Sequence, residues 1–320
     1  MMTRAEAARW LAGRDGICIL THRRPDGDTV GSAVALCLGL RSLGKRAHLL
    51  ENPEFTEKYA FLLPGLTREA VEAGDILVSV DVASPNMLPN AFEQYLGRIA
   101  LRIDHHGTAT SFTELELVDP DAAACAEIIY DILVEMGVTL NAAMANALYT
   151  GVSTDTGCFR YANTEAHSFA VAAACAQAGG DLQTINQALF ETNTLARLRL
   201  QGWIVENIRL LCKGKIAICA IPRAVEEALG ATEDDLDNIS GFPRTIEGVK
   251  LAATLREEKD GTVKLSVRAV PGYDAAAVCV KFGGGGHKGA AGASLALPLA
   301  EAVTVVAQAL TDIAEGGVDN

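Results

Sequence analysis

Short apolar, β-branched runs alternate with longer stretches of helical periodicity through the first half of the chain. Residues 16–21, 46–50, 76–80 and 99–103 read as strands, and 31–43, 122–136, 142–152 and 164–178 as helices. Such alternation predicts a parallel sheet with covering helices. The polar stretch 181–201 reads as a helical connector. Beyond it the order changes: strands near 215–221, 249–255, 263–269 and 293–297, with helices between, predict a smaller mixed α+β domain. The expected class is α/β, with domains at 1–185 and 206–320, a helical linker at 186–205 and an active site in the cleft between the domains. A length of 320 residues exceeds the usual size of one domain and agrees with that division. No internal repeat is visible, and the only low-complexity feature is GGGG at 283–286.

Three of the first-half strands end in polar residues. His22 and its loop follow the first, Asp81 the third, and Asp104, His105 and His106 the fourth. Ligands of open α/β sheets bind beyond the carboxyl ends of the strands, so these ends are expected to meet in one crevice.

Composition narrows the partners. The net charge of −13 argues against a protein that grips long duplex nucleic acid through a broad basic face. A small anionic substrate remains compatible, because bound metal reverses the local sign of charge. The eight cysteines form no C-x-x-C pair, and most lie in apolar runs, as Cys18 does in GICIL. They read as small hydrophobes of a reduced, cytoplasmic protein. The start has no central apolar run of signal-peptide length. The segment nearest to a membrane span, 293–310, is broken by Pro298, Glu301 and Gln308 and reads as a strand followed by an amphipathic helix.

Four segments carry candidate chemistry. THRRPDGDTVGS at 21–32 places His22, Asp26 and Asp28 on a tight loop between strand and helix. Imidazole and carboxylate suit divalent first-row metals such as Mn²⁺, although a helix-capping loop with solvated acids would look the same. Asp81 follows an apolar strand, where a cap or turn is the plain alternative. In IDHHGT, adjacent His105 and His106 can point to opposite sides of the backbone, one toward metal and one toward substrate. Asp155 ends an apolar helix between Gly151 and Gly157. Each piece is ambiguous, but four acidic or His-bearing loops gathered by one sheet are what a binuclear metal site requires. Neither G-x-G-x-x-G nor G-x-x-x-x-G-K-[ST] follows the first strand, and G-x-S-x-G follows none.

Taken together, these segments resemble the four amino-terminal motifs of the DHH phosphoesterase superfamily, named for the Asp104-His105-His106 type of sequence. SVRA at 266–269 and FGGGGHKGAAG at 282–292 resemble its DHHA1 domain, so the likeness spans nearly the whole chain. It is similar above all to compact bacterial oligoribonucleases that also act on adenosine 3′,5′-bisphosphate, with cyclic dinucleotide hydrolysis in some members. The resemblance implies two Mn²⁺ ions per site, with Mg²⁺ or Co²⁺ as substitutes. One would be held by His22, Asp26 and Asp81, the other by Asp28, Asp81, His105 and Asp155, with Asp81 bridging. His106 would meet the scissile phosphate or protonate the leaving oxygen, and Asp104 would orient its neighbours. Arg268, Gly284, Gly285, Gly286 and His287 would bind the rest of a short RNA or small nucleotide. Relatives suggest a homodimer.

The chain departs from the family pattern in two places. Arg24 stands where relatives often carry Asn, and Ala123 and Ala124 where they often carry Ser and Thr. Two rival readings are a nucleotide sensor that does not cleave and an inorganic pyrophosphatase. The intact ligand set speaks against the first, and GGGGHKG against the second.

Overall fold

The computed structural model describes residues 1–107, 110–236 and 239–316, so the last four residues of the expected second domain lie outside the described part. The chain divides into two compact units, Met1–Thr192 and Asn193–Asn320.

In the first unit, α1 (Arg4–Ala12) precedes β1 (Ile17–Leu20), α2 (Gly27–Ser42), β2 (Ala47–Leu50), β3 (Thr67–Arg68), β4 (Ile76–Val80), β5 (Ile99–Asp104) and β6 (Leu115–Val118). Helices α3 (Cys125–Glu135), α4 (Ala142–Asp155), α5 (Ala166–Gln177) and α6 (Leu182–Asn186) complete it. The strands form one sheet in the order β3-β2-β1-β4-β5-β6, and every pair is parallel. The order reverses between β1 and β4, which makes their carboxyl ends the switch point where α/β sheets bind ligands.

The two faces of this sheet are covered unequally. Ile17, Ile19, Leu49, Val78, Val80, Leu101 and Ile103 pack with helices α1 to α5 in the larger core. The alternate residues Cys18, Leu20, Leu50 and Leu77 face a smaller cluster with Val82, Leu88, Phe92 and Ile99, supplied by loops and the 3₁₀ segments Pro85–Met87 and Asn90–Arg98. Burial on both faces explains why the strands read as unbroken apolar runs. The main expected elements are present, and two differences are informative. Helix α2 starts at Gly27, four residues before the expected position, because the Asp26 side chain caps it by accepting from the amides of Asp28 and Thr29. The short edge strands β3 and β6 had no distinctive pattern to announce them. The helical connector consists of α6, a π-turn at Gln187–Glu191 and, after a break, a separate helix.

The second unit opens with that separate helix, α7 (Leu195–Asn207). It continues through β7 (Arg209–Leu211), β8 (Ile216–Ile221), α8 (Arg223–Leu229), α9 (Glu233–Leu236), β9 (Leu251–Glu257) and β10 (Val263–Ala269). Helix α10 (Ala275–Val280), β11 (Gly285–Gly286), β12 (Ala290–Leu295) and α11 (Leu299–Gly316) follow. Its six-stranded sheet runs β11-β12-β10-β9-β8-β7 and is antiparallel except for β8 against β9. Alternation along β8 sends Ile216 and Ile218 toward α10 and α11, and Cys219 and Ile221 toward α7 and α9. Among the described residues, no helix is long and apolar enough to cross a membrane.

Candidate metal centre

Local structure aims every candidate side chain of the first unit at the carboxyl edge of the sheet. His22 lies two residues beyond β1, where Asn52 donates to its carbonyl oxygen and to the Thr21 hydroxyl. Its Nδ1 donates to the Arg23 carbonyl at 2.7 Å, which turns Nε2 toward Asp26 and Asp81. Asp81 follows β4 with φ of 58°, a left-handed conformation that Asp tolerates better than most residues. Its amide still pairs with the Ile103 carbonyl, so the sheet fixes this turn. His105 Nδ1 donates to Ala122 O at 3.1 Å, leaving its Nε2 directed at Asp28, Asp81 and Asp155.

Asp28 is fully buried in the first turn of α2 and also caps another helix. Its two oxygens accept from the amides of Cys125 and Ala126 at 2.6 and 2.9 Å. Ala124, at the N-cap of α3, offers no side-chain bond there, so the distant carboxylate satisfies donors that a Ser or Thr would otherwise cap. The Ala123-Ala124 departure thus leaves the helix start supported. Helices α2 and α4 must pass very close for Asp28 and Asp155 to meet. A Cβ on Gly31 would lie 2.3 Å from the Ala147 carbonyl oxygen, and one on Gly151 would lie 2.8 Å from Asp28 Oδ1.

His22 and His105 make five of the cluster's histidine–carboxylate approaches. His22 Nε2 lies 3.5 Å from both Asp26 Oδ1 and Asp81 Oδ2. His105 Nε2 lies 3.7, 3.5 and 3.3 Å from Asp28 Oδ2, Asp81 Oδ1 and Asp155 Oδ2. These separations exceed the roughly 2.7–2.9 Å of a charge-assisted hydrogen bond. Four of them fall within, and the 3.7 Å of His105–Asp28 just beyond, the edge of about 3.0–3.6 Å between two ligands each about 2.1 Å from one ion. Asp81 Oδ1 is buried and has no hydrogen-bond partner among the described residues. The donor set therefore fits two cations: His22, Asp26 and Asp81 on one side, and Asp28, His105 and Asp155 on the other.

Electrostatics points the same way. Burial and the charge of Asp81 push the Asp28 carboxyl up to about 7, and burial with Asp28 and Asp26 nearby raises that of Asp155. Burial works against the His22 imidazolium, but Asp26 and Asp81 outweigh it and raise its pKa. So many carboxylates cannot all stay ionised in a small buried volume without a cation. His106 differs in having a carboxylate of its own: its Nδ1 donates to Asp104 Oδ1 at 2.8 Å, and it also lies 3.5 Å from Asp81 Oδ1. Burial opposes its charge, yet Asp104 and Asp81 push its pKa up to about 9. Asp104 Oδ1 also accepts from the amides of His105 and His106, holding the motif's turn in place.

In the second unit the remaining candidates share one end of the sheet. Arg268 pairs in register with Ala290 of β12, and Ala290 exchanges backbone hydrogen bonds with His287. The glycine run is a built hairpin, not a linker. Gly284 donates to the Cys279 carbonyl, and β11 pairs with Ala291 and Gly292. A Cβ at Gly284 would lie 2.2 Å from the Gly292 carbonyl oxygen, and Gly286 adopts φ of 142°. Sequence reasoning did not find the residues that aim the site, Asn52, Ala122, Cys125 and Ala126. Three of these act through backbone atoms, and backbone atoms leave no residue-type signal.

Residues 16–152 match the model of the DHH family, N-terminal domain, and residues 214–316 that of the DHHA1 domain. The chain is 34% identical over 290 residues to the bifunctional oligoribonuclease and PAP phosphatase NrnA of Thermus thermophilus, covering 87% of this chain and 84% of that one. It is 28% identical over 298 residues to the protein of the same name from Bacillus subtilis, covering 91% and 93%. An exopolyphosphatase-related protein from Bacteroides fragilis shares the fold, with a TM-score of 0.87 at 23% identity over 97% of this chain and 96% of that one. The chain belongs to the DHH family and carries a DHHA1 domain. It is a metal-dependent phosphoric ester hydrolase, and its curated relatives include proteins of the NrnA name.

Proposed function

We propose that the protein is a two-metal, Mn²⁺-dependent enzyme that hydrolyses short oligoribonucleotides, linear dinucleotides and adenosine 3′,5′-bisphosphate. The observation that carries this reading is the division of Asp81, whose Oδ2 faces His22 while its Oδ1 faces His105. A carboxylate with one oxygen in each ligand set is the bridge of a binuclear centre, and all-nitrogen-and-oxygen donors suit Mn²⁺, Mg²⁺ or Co²⁺.

In this reading His22, Asp26 and Asp81 hold one ion, and Asp81, Asp28, His105 and Asp155 the other. Bound there, the metals would supply a hydroxide at neutral pH and neutralise charge on the phosphate. The chain's own residues do the rest. Asp104 accepts from Nδ1 of His106 and keeps the ring protonated, which leaves Nε2–H as the donor to the leaving ribose oxygen. Arg268, His287 and the amides of Gly284, Gly285 and Gly286 bind the substrate away from the scissile bond and so select short ligands. The curated relatives named as oligoribonucleases and PAP phosphatases support this substrate class. A panel with Mn²⁺ tests it: RNA of two to five residues and adenosine 3′,5′-bisphosphate should turn over faster than cyclic dinucleotides, pyrophosphate or long RNA. Preference for a cyclic dinucleotide or pyrophosphate, or binding without product, would overturn it.

A further inference from the structure

We propose that Cys18, His48 and Asp75 form a separate site for a thiolate-binding divalent ion of the Zn²⁺ type, fastening three neighbouring strands at the amino-terminal edge of the first sheet. Cys18 on β1 is in register with His48 on β2 and with Leu77 on β4, and Asp75 stands two residues before Leu77. In-register neighbours and residues two apart share a face, so all three point to the thinly covered side of the sheet. One sulfur, one imidazole nitrogen and one carboxylate oxygen lie within 4.8 Å of one another. Asp75 and Asp81 flank β4 at opposite ends, about 20 Å apart at roughly 3.3 Å per residue, so the site is distinct from the binuclear centre.

The chemistry of the three groups is that of a ligand set. His48 is 3% exposed, and its buried Nε2 has no hydrogen-bond partner among the described residues. It lies 3.4 Å from Asp75 Oδ2, longer than an ionic hydrogen bond and close to the tetrahedral edge of about 3.3–3.7 Å around zinc. Asp75 Oδ2 is held in place by the Glu72 amide at 2.7 Å. Burial lowers the His48 pKa and so favours the neutral ring a ligand must be, whereas burial and the Asp75 charge push the Cys18 thiol up to about 12, so a bound ion would have to displace its proton. Arg68, whose charge bears on both Cys18 and His48, is itself paired with Glu72. Three protein ligands leave the fourth position to water or to the second Asp75 oxygen. Among the described residues, no other cysteine lies in such a group of potential ligands.

Cobalt distinguishes this site from the other, because only a thiolate gives a near-ultraviolet sulfur-to-cobalt charge-transfer band, whereas the binuclear centre offers nitrogen and oxygen alone. Full-length protein produced in cobalt-supplemented medium should show that band. Cys18→Ser and His48→Gln should lose it together with about one ion per chain, while Cys125→Ser keeps it. Cys18→Ser reconstituted with Mn²⁺ should retain phosphoesterase activity within about twofold. Absence of the band in the wild-type protein, which requires no variant to fold, would overturn the proposal, as would its persistence in Cys18→Ser. Failure of the substrate panel would leave this spectrum unchanged, so the two results are read independently.

Discussion

At the scale of single residues, Asp81 combines three demands: a left-handed backbone, a buried side chain and two oxygens turned toward different histidines. A strained non-glycine conformation costs on the order of 1 kcal/mol or more and persists where the surroundings impose it. Asp81→Asn keeps a residue that tolerates this conformation while removing the charge. It should fold with an unchanged circular dichroism spectrum, lose at least about 100-fold in kcat, and bind at most one Mn²⁺ tightly by calorimetry. The residue types of His22, Asp26, Asp28, Asp81, His105 and Asp155 were legible in the sequence because they stand at strand and helix ends. Their aim was not: Ala122 and Arg23 orient the rings through carbonyl oxygens, which any residue supplies.

At the scale of elements, the site depends on the close passage of α2 and α4. Gly31→Ala would drive a methyl group into the Ala147 carbonyl, an overpacking cost of about 1–3 kcal/mol. We expect a lower denaturation midpoint in urea together with weaker Mn²⁺ binding, because Asp28 and Asp155 are carried by these two helices. Central strands and long helices were readable from hydrophobic period, while boundaries were set by side chains remote in sequence. Asp28 capping α3 across 97 residues is the clearest instance, and no local pattern at Ala124 announces it. The break between α6 and α7 falls at Thr192-Asn193-Thr194, poor helix formers of which Thr194 caps α7 by accepting from the Arg197 amide. In the glycine run, hydrogen bonds of its amides and the close approach of β12 hold a hairpin whose shape composition alone does not specify.

At the scale of the whole molecule, a chain of net charge −13 acts on anions by concentrating its acids where cations can neutralise them. The sign of the pH dependence follows from Asp28. Its folded pKa of about 7 lies above an unfolded value near 4, so its neutral form favours the native state. That contribution is complete below about pH 4 and lost as pH rises through 7. Metal-free protein should therefore lose on the order of 3 kcal/mol of stability between pH 5 and pH 8 in chelator, and saturating Mn²⁺ should abolish the loss. Equilibrium urea denaturation with and without metal checks this, and greater stability of the metal-free form at pH 8 would contradict it. The most direct test of the shared-carboxylate centre is anomalous scattering from crystals grown with Mn²⁺. The account predicts two peaks about 3.5–4 Å apart, one on each side of Asp81; a single peak, or a pair remote from Asp81, would contradict it.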